Sequence, residues 1–257
     1  MDNLAFSGDF RHKQGFEERF GDTSMVIKIL SKKSIILAVL CCVIPVFCIF
    51  AFAMSKEGAK TAGSDDFYYG TIVVDAGHGG IDGGVVGSLG IKESDINLRL
   101  AKILEKKLSE NNFKVVMTRT TENSLSNIKR IDMQMRKDII VKASPIAVIS
   151  LHVNKFSDSS RRGVQVFYDD LKVGKDFGDF LQSYLNENIN SRYSKRSDYN
   201  AIAGDLFITK CVKVPSVIVE CGFISNKEDE RLLMQDSFCQ DLCDRICQAV
   251  CILNNPE

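Results

Sequence analysis

The sequence predicts an α/β domain with a mostly parallel central sheet flanked by helices, preceded by a single transmembrane or signal segment. Three observations carry this expectation. Short apolar runs alternate with stretches of helical periodicity from about Gly70 to about Asn254. Several runs, such as Ile72-Val73-Val74 and Val217-Ile218-Val219, are apolar throughout, the pattern of strands buried on both faces. Upstream, Ile35 to Met54 is a run of twenty residues without a charge, long enough to span a bilayer as a helix.

That apolar run comes after a polar leader, residues 1–33. Lys28, Lys32 and Lys33 precede it and favour a cytoplasmic N-terminus, although Lys56 and Lys60 lie just beyond it. Pro45 lies within it. Ala51-Phe52-Ala53 resembles a small-residue cleavage site, so residues 34–54 read as a membrane anchor or as a signal peptide. The long leader favours the uncleaved anchor. Both readings export the linker over 55–69 and the globular domain over 70–257, and place them at the extracytoplasmic face of the membrane.

Within the domain, strands are expected at 71–76, 114–118, 146–151, 164–168, 206–209 and 216–220. The first helix is expected over Ser94 to Asn111, with Ile96, Leu100, Ile103, Leu104 and Leu108 on one face. Asn111-Asn112 ends it, and the chain returns as a strand at Phe113-Lys114-Val115-Val116-Met117. Further helices are expected over Ser126–Lys142, Lys175–Asn190 and Ser237–Leu253. In such sheets ligands bind beyond the carboxyl ends of the strands.

Composition narrows the function classes. The 257 residues are 45% apolar and 26% charged, and the formal net charge is zero, so nothing points to nucleic acid. Of nine cysteines, Cys41, Cys42 and Cys48 lie in the apolar segment. Cys239, Cys243, Cys247 and Cys251 recur every fourth residue, a spacing at which disulfides along one helix are geometrically poor. They read as small buried apolar residues, and no Cys-x-x-Cys pair marks a zinc ribbon.

The chain has three histidines, and His12 lies in the leader. The other two stand at strand ends: His78 after Ile72-Val73-Val74-Asp75-Ala76, and His152 after Val148-Ile149-Ser150-Leu151. Glu220 ends Ser216-Val217-Ile218-Val219, and Glu93 opens a helix. Two histidines and a carboxylate that can converge form the ligand set of a hydrolytic zinc site. Glu93 by itself is also explained as a first-turn charge favoured by the helix dipole. A carboxylate ending a buried strand needs a partner. For Glu220 that partner is a cation or its bound water, or else an arginine such as Arg119 or Arg136. The loop from Asp75 to Gly84 is glycine-rich, but it lacks Gly-Lys-Ser/Thr and no helix begins directly after it, so it fits neither common nucleotide-binding fingerprint. No Ser-His-Asp or Cys-His nucleophile fits, because both histidines are better used as ligands.

The segments DAGHGGIDGG, Thr118-Arg119, Ser150-Leu151-His152-Val153-Asn154 and Val219-Glu220-Cys221-Gly222-Phe223-Ile224-Ser225-Asn226, with Glu93 between the first two, resemble zinc-dependent N-acetylmuramoyl-L-alanine amidases of the type-3 class. The resemblance covers roughly residues 70 to 254. It implies that His78, Glu93 and His152 bind Zn2+, that Glu220 is the catalytic acid/base, and that peptidoglycan is the substrate, cleaved between N-acetylmuramic acid and L-alanine. It makes 70–257 a zinc amidase catalytic domain. The sequence departs from the family pattern at Ala76, where proline is usual, and near Val141-Lys142, where an Ala-Asn pair is missing. Neither position touches the implied ligands. The short domain, single leader and lack of wall-binding repeats are most similar to the cortex amidases of spore formers, where the product leads to muramic lactam and germination. A regulatory protein partner is a further implication, since several members need activators. The competing classes are another zinc wall hydrolase, a carboxypeptidase or deacetylase, and an inactive wall-binding protein.

Overall fold

A computed structural model describes residues 68–169, 171–195 and 198–254. Six strands form one sheet in the order β2-β1-β3-β6-β4-β5. They are β1 (Thr71–Ala76), β2 (Lys114–Met117), β3 (Ala147–Asn154), β4 (Gln165–Tyr168), β5 (Ile202–Ala203) and β6 (Ser216–Phe223). β1 pairs in parallel with β2 and β3, β3 with β6, and β4 with β5. Among these strands only the β4–β6 pairing is antiparallel. The expected central sheet flanked by helices is therefore present, with one reversal near its edge.

The helices are α1 (Glu93–Glu110), α2 (Lys129–Ala143), α3 (Lys172–Leu185), α4 (Lys227–Met234) and α5 (Asp236–Asn254). Alternate residues of the central strands feed two cores. Ile72, Val74 and Ala76 pack with Leu100 and Leu104 of α1 and with Leu242 and Ile246 of α5. Val73 and Val148 pack on the opposite side with Ile140 of α2 and Ile208. Burial on both faces explains why these strands are apolar throughout.

The cysteine stripe of α5 behaves as small apolar side chains. Cys239, Cys243 and Cys247 are buried, Cys251 is half-buried, and all are free thiols. Burial pushes the Cys247 thiol up to about 12, so it remains protonated and unreactive.

Three elements differ from the expectation. The run 206–209 is not a strand: a 3-10 turn occupies Ile208–Lys210, and the edge strand is Ile202–Ala203. A four-residue run with three apolar residues has too little periodicity to separate the two, and burying Ile208 against Val73 and Val148 needs only a turn. The third helix starts at Lys172, passes at Asn186–Asn190 into a π-helical turn, and ends in Ser191–Tyr193. α4 is an additional helix. Its signal is local: the Asn226 side chain accepts hydrogen bonds from the backbone of Glu228 (3.0 Å) and Asp229 (3.1 Å), and the first turn is acidic. The expected segments 1–33, 34–54 and most of 55–69 lie outside the described residues. Among the described residues no helix is long and apolar enough to cross a membrane.

Candidate metal centre

His78, Glu93 and His152 arrive from three elements and meet. β1 ends at Ala76, and His78 takes a left-handed backbone (φ 60°) that turns its side chain back across the strand ends. Gly77 makes the approach possible: a Cβ there would lie 2.4 Å from Nε2 of His152. Glu93 opens α1, and His152 lies within β3, before its carboxyl end.

Oε1 of Glu93 lies 3.3 Å from Nε2 of His78 and 3.0 Å from Nδ1 of His152. One ligand atom from each of the three residues falls within 4.8 Å of the other two. A tetrahedral ion with bonds of about 2.1 Å holds its ligands about 3.4 Å apart. The donor set and its spacing therefore fit a zinc-sized cation.

Supporting bonds orient each donor. Asp82 Oδ1 lies 2.9 Å from Nδ1 of His78, which leaves Nε2 facing Glu93. A carboxylate behind a ligating imidazole is a recurrent outer-shell arrangement in metal sites. Val85 N–H donates to Oε2 of Glu93 (3.0 Å), while Asn97 Nδ2 (3.3 Å) and Val153 N–H (3.2 Å) donate to Oε1. Burial pushes the Glu93 carboxyl up, but the two histidines outweigh it and hold the group well below the usual carboxylate range. Burial alone would lower His78; Glu93 and Asp82 raise it above 6.5 instead.

Glu220 faces this trio from β6. It is the register partner of His152 across the β3–β6 pairing, so the two side chains emerge side by side on one face. Its Oε2 is buried without a hydrogen-bond partner. Burial pushes its carboxyl up to about 7, with His152 pulling it down and Glu93 pushing it up. A half-buried carboxylate with one enclosed, unpartnered oxygen, poised near neutrality beside a cluster of metal-type donors, has the properties of a general acid/base.

The arginine partners considered for Glu220 are engaged elsewhere. Arg136 pairs with Asp75 (2.9 Å) and Asp132 (2.7 Å) and donates to the carbonyls of Ala76 (2.7 Å) and His78 (2.6 Å). Arg119 donates to the carbonyls of Ala76, Gly77, Ser94 and Thr121, each at 2.9 Å. Asp75 also accepts from Thr118 and Ser150 at 2.5 Å. This buried network sets the loop backbone that carries His78. Arg136→Met would leave Asp75 buried without its cation, and a loss of about 3–5 kcal/mol in urea-unfolding stability is expected. Substituting Asp75→Asn in the same chain should recover part of that loss.

The fold brings together all four residues singled out in the sequence: His78, Glu93, His152 and Glu220. It adds Asp82, Asn97, Asp75 and the roles of both arginines, which sequence reasoning missed. One of these had a readable signal: Asn97 lies one helical turn after Glu93.

An α/β fold with a His/Glu/His cluster near the carboxyl ends of parallel strands, and a half-buried carboxylate beside it, defines a candidate metal-dependent hydrolase. A family model described as N-acetylmuramoyl-L-alanine amidase matches residues 72–251, and the chain belongs to that family. The germination-specific N-acetylmuramoyl-L-alanine amidase of Bacillus subtilis is 30% identical over 175 residues, 63% of this chain and 70% of that protein. The amidase LytC of the same organism is 30% identical over 168 residues, 64% of this chain but 32% of its own length, so the chain spans about a third of that relative. Among solved structures, the CwlD amidase of Clostridioides difficile, in complex with the GerS lipoprotein, superimposes with a TM-score of 0.65 at 28% identity, covering 70% of this chain and 96% of that one.

Proposed function

We propose that the chain hydrolyses the amide bond between N-acetylmuramic acid and L-alanine in peptidoglycan, with His78, Glu93 and His152 holding Zn2+ and Glu220 moving the proton. The observation that carries this reading is the meeting of a three-donor cluster with Glu220, whose enclosed Oε2 has no partner, near the strand ends of a chain from this family. When bound, zinc supplies Lewis acidity toward a water and the amide carbonyl. Glu220 accepts the proton as water adds to the lactyl carbonyl and returns it to the leaving amine. Asp82, Val85 N–H and Asn97 hold the donors in register.

The finer reading is action in the spore cortex, on the path to muramic lactam and germination, supported by similarity to the germination-specific relative. The apolar segment 34–54 would export the domain and hold it at the membrane. A protein partner is also proposed, because the solved CwlD is in complex with a lipoprotein. Mass spectrometry of digested peptidoglycan, with and without a chelator, tests the core of the proposal. Chelator-sensitive release of peptides with N-terminal alanine is expected. Release of terminal D-amino acids or acetate instead would identify a carboxypeptidase or deacetylase.

A further inference from the structure

Between His78 and Glu93 the chain makes an excursion over residues 83–92 whose base belongs to the metal centre. Val85 N–H fixes Oε2 of Glu93, and Glu93 N–H donates back to the Val85 carbonyl at 2.8 Å. Its tip turns through Gly87 and Gly90, with Gly87 N–H donating to Ile91 at 3.0 Å. The tip is exposed, yet it lies on Glu230, a carboxylate of α4 that is 1% exposed. One Glu230 oxygen accepts from the Ser88 hydroxyl and the other from Leu89 N–H at 2.8 Å. Gly87 must remain a glycine for this contact, because a Cβ would lie 2.0 Å from the Glu230 carboxylate.

α4 is itself fixed to the strand that carries Glu220. Asp229 accepts from Phe223 N–H (2.8 Å), at the end of β6, and from Gly163 N–H (2.7 Å). We infer that Glu230 is a positioning residue that clamps the Glu93 loop to the Glu220 strand and thereby holds the Glu93 carboxylate in metal-binding geometry. The inference rests on the proposed metal site and adds a residue to it. Glu230 bonds to Ser88 and Leu89 and not to the three donors themselves. It acts through Ser88 and Leu89 on Val85, and through Val85 on the second oxygen of Glu93.

The test is zinc affinity of the full chain, by competition with a chromophoric chelator, in E230A, E230Q and S88A. Thermal unfolding of each chelator-treated protein is measured alongside. Removing a partner bonded directly to a ligand costs roughly ten- to a hundredfold in metal affinity, so E230A, one contact further out, is expected to weaken zinc binding by up to about tenfold. S88A, at an exposed residue, should weaken it by less while leaving the metal-free unfolding temperature unchanged. E230Q keeps an acceptor for Leu89 N–H and an amide for the Ser88 hydroxyl, so it should recover most of the loss. With Co2+ in place of zinc, E230A should change the visible spectrum and E230Q should not. A wild-type chain that binds zinc while E230A and S88A bind it equally well overturns this inference alone. So does a loss of affinity that only tracks loss of the metal-free fold. A wild-type chain that takes up no metal overturns the metal site and the clamp together.

Discussion

Replacing Glu220 with alanine is expected to lower amidase turnover by about 10²–10⁴-fold, the usual contribution of a positioned acid/base, while metal content stays at the wild-type level. Glu220→Gln should fall as far, because an amide of the same shape cannot accept the proton. Both variants should fold. Oε2 of Glu220 has no hydrogen-bond partner to lose, and removing this half-buried carboxylate relieves the desolvation cost of its enclosed oxygen. The unfolding temperature of the metal-free protein should therefore hold or rise. The metal-free carboxyl stands at about 7 because burial disfavours its charge. A divalent cation nearby favours the charged form, so the acidic limb of kcat/KM should lie below about 7. Release of alanine-terminated peptides and atomic absorption of the purified variants read both arms. Near wild-type cleavage by Glu220→Ala would assign the proton transfer to another group.

Much of this site is legible in the sequence because its residues are chemically expensive where they stand. A histidine after Ile72-Val73-Val74-Asp75-Ala76, another in β3, and a carboxylate in an otherwise apolar β6 each oppose burial. Strands of continuous apolar residues imply a sheet covered on both faces, and the two cores on either side of β1 and β3 account for that pattern. Less legible are features whose energy comes from tertiary contact. The antiparallel reversal of β4 is made by its pairing with β6, from Gln165 opposite Glu220 to Tyr168 opposite Val217, which a local reading of either segment does not contain. The placing of Ile208 in a turn is decided by Val73, Val148 and Ile140, all distant in sequence. The arginines look like candidates for Glu220 because charge is visible in a sequence and direction is not. Arg136 instead meets the carboxylates of Asp75 and Asp132, and both arginines also donate to backbone carbonyls, including those of the His78 loop, which carry no residue identity. Glu230 is hidden for a similar reason: it recognises a hydroxyl and an amide of the chain 142 and 141 residues away.

Loss of any one of the three proposed metal donors is the second large effect expected, and the three should not be equal. Glu93 is the hub, since its Oε1 contacts both imidazoles and is held by Asn97 and Val153 as well. Glu93→Ala removes the only carboxylate of the set and should weaken zinc binding most. His78→Ala and His152→Ala each leave two donors and should weaken it by more than the roughly ten- to a hundredfold that an outer-shell change costs. Asp82→Asn, which only loosens His78, should stay within that range. Affinity should also depend on pH in a stated direction. Imidazole binds a metal only when neutral at the ligating nitrogen, and Glu93 with Asp82 raises the His78 pKa above 6.5. Below that raised value the histidine is protonated in the metal-free protein, so zinc uptake must release protons and its affinity must fall as the pH drops. Titration calorimetry in buffers of different ionisation enthalpy counts those protons. Full metal occupancy in both His78→Ala and His152→Ala would remove these residues from the centre, and a pH-independent affinity would place the metal on donors other than His78.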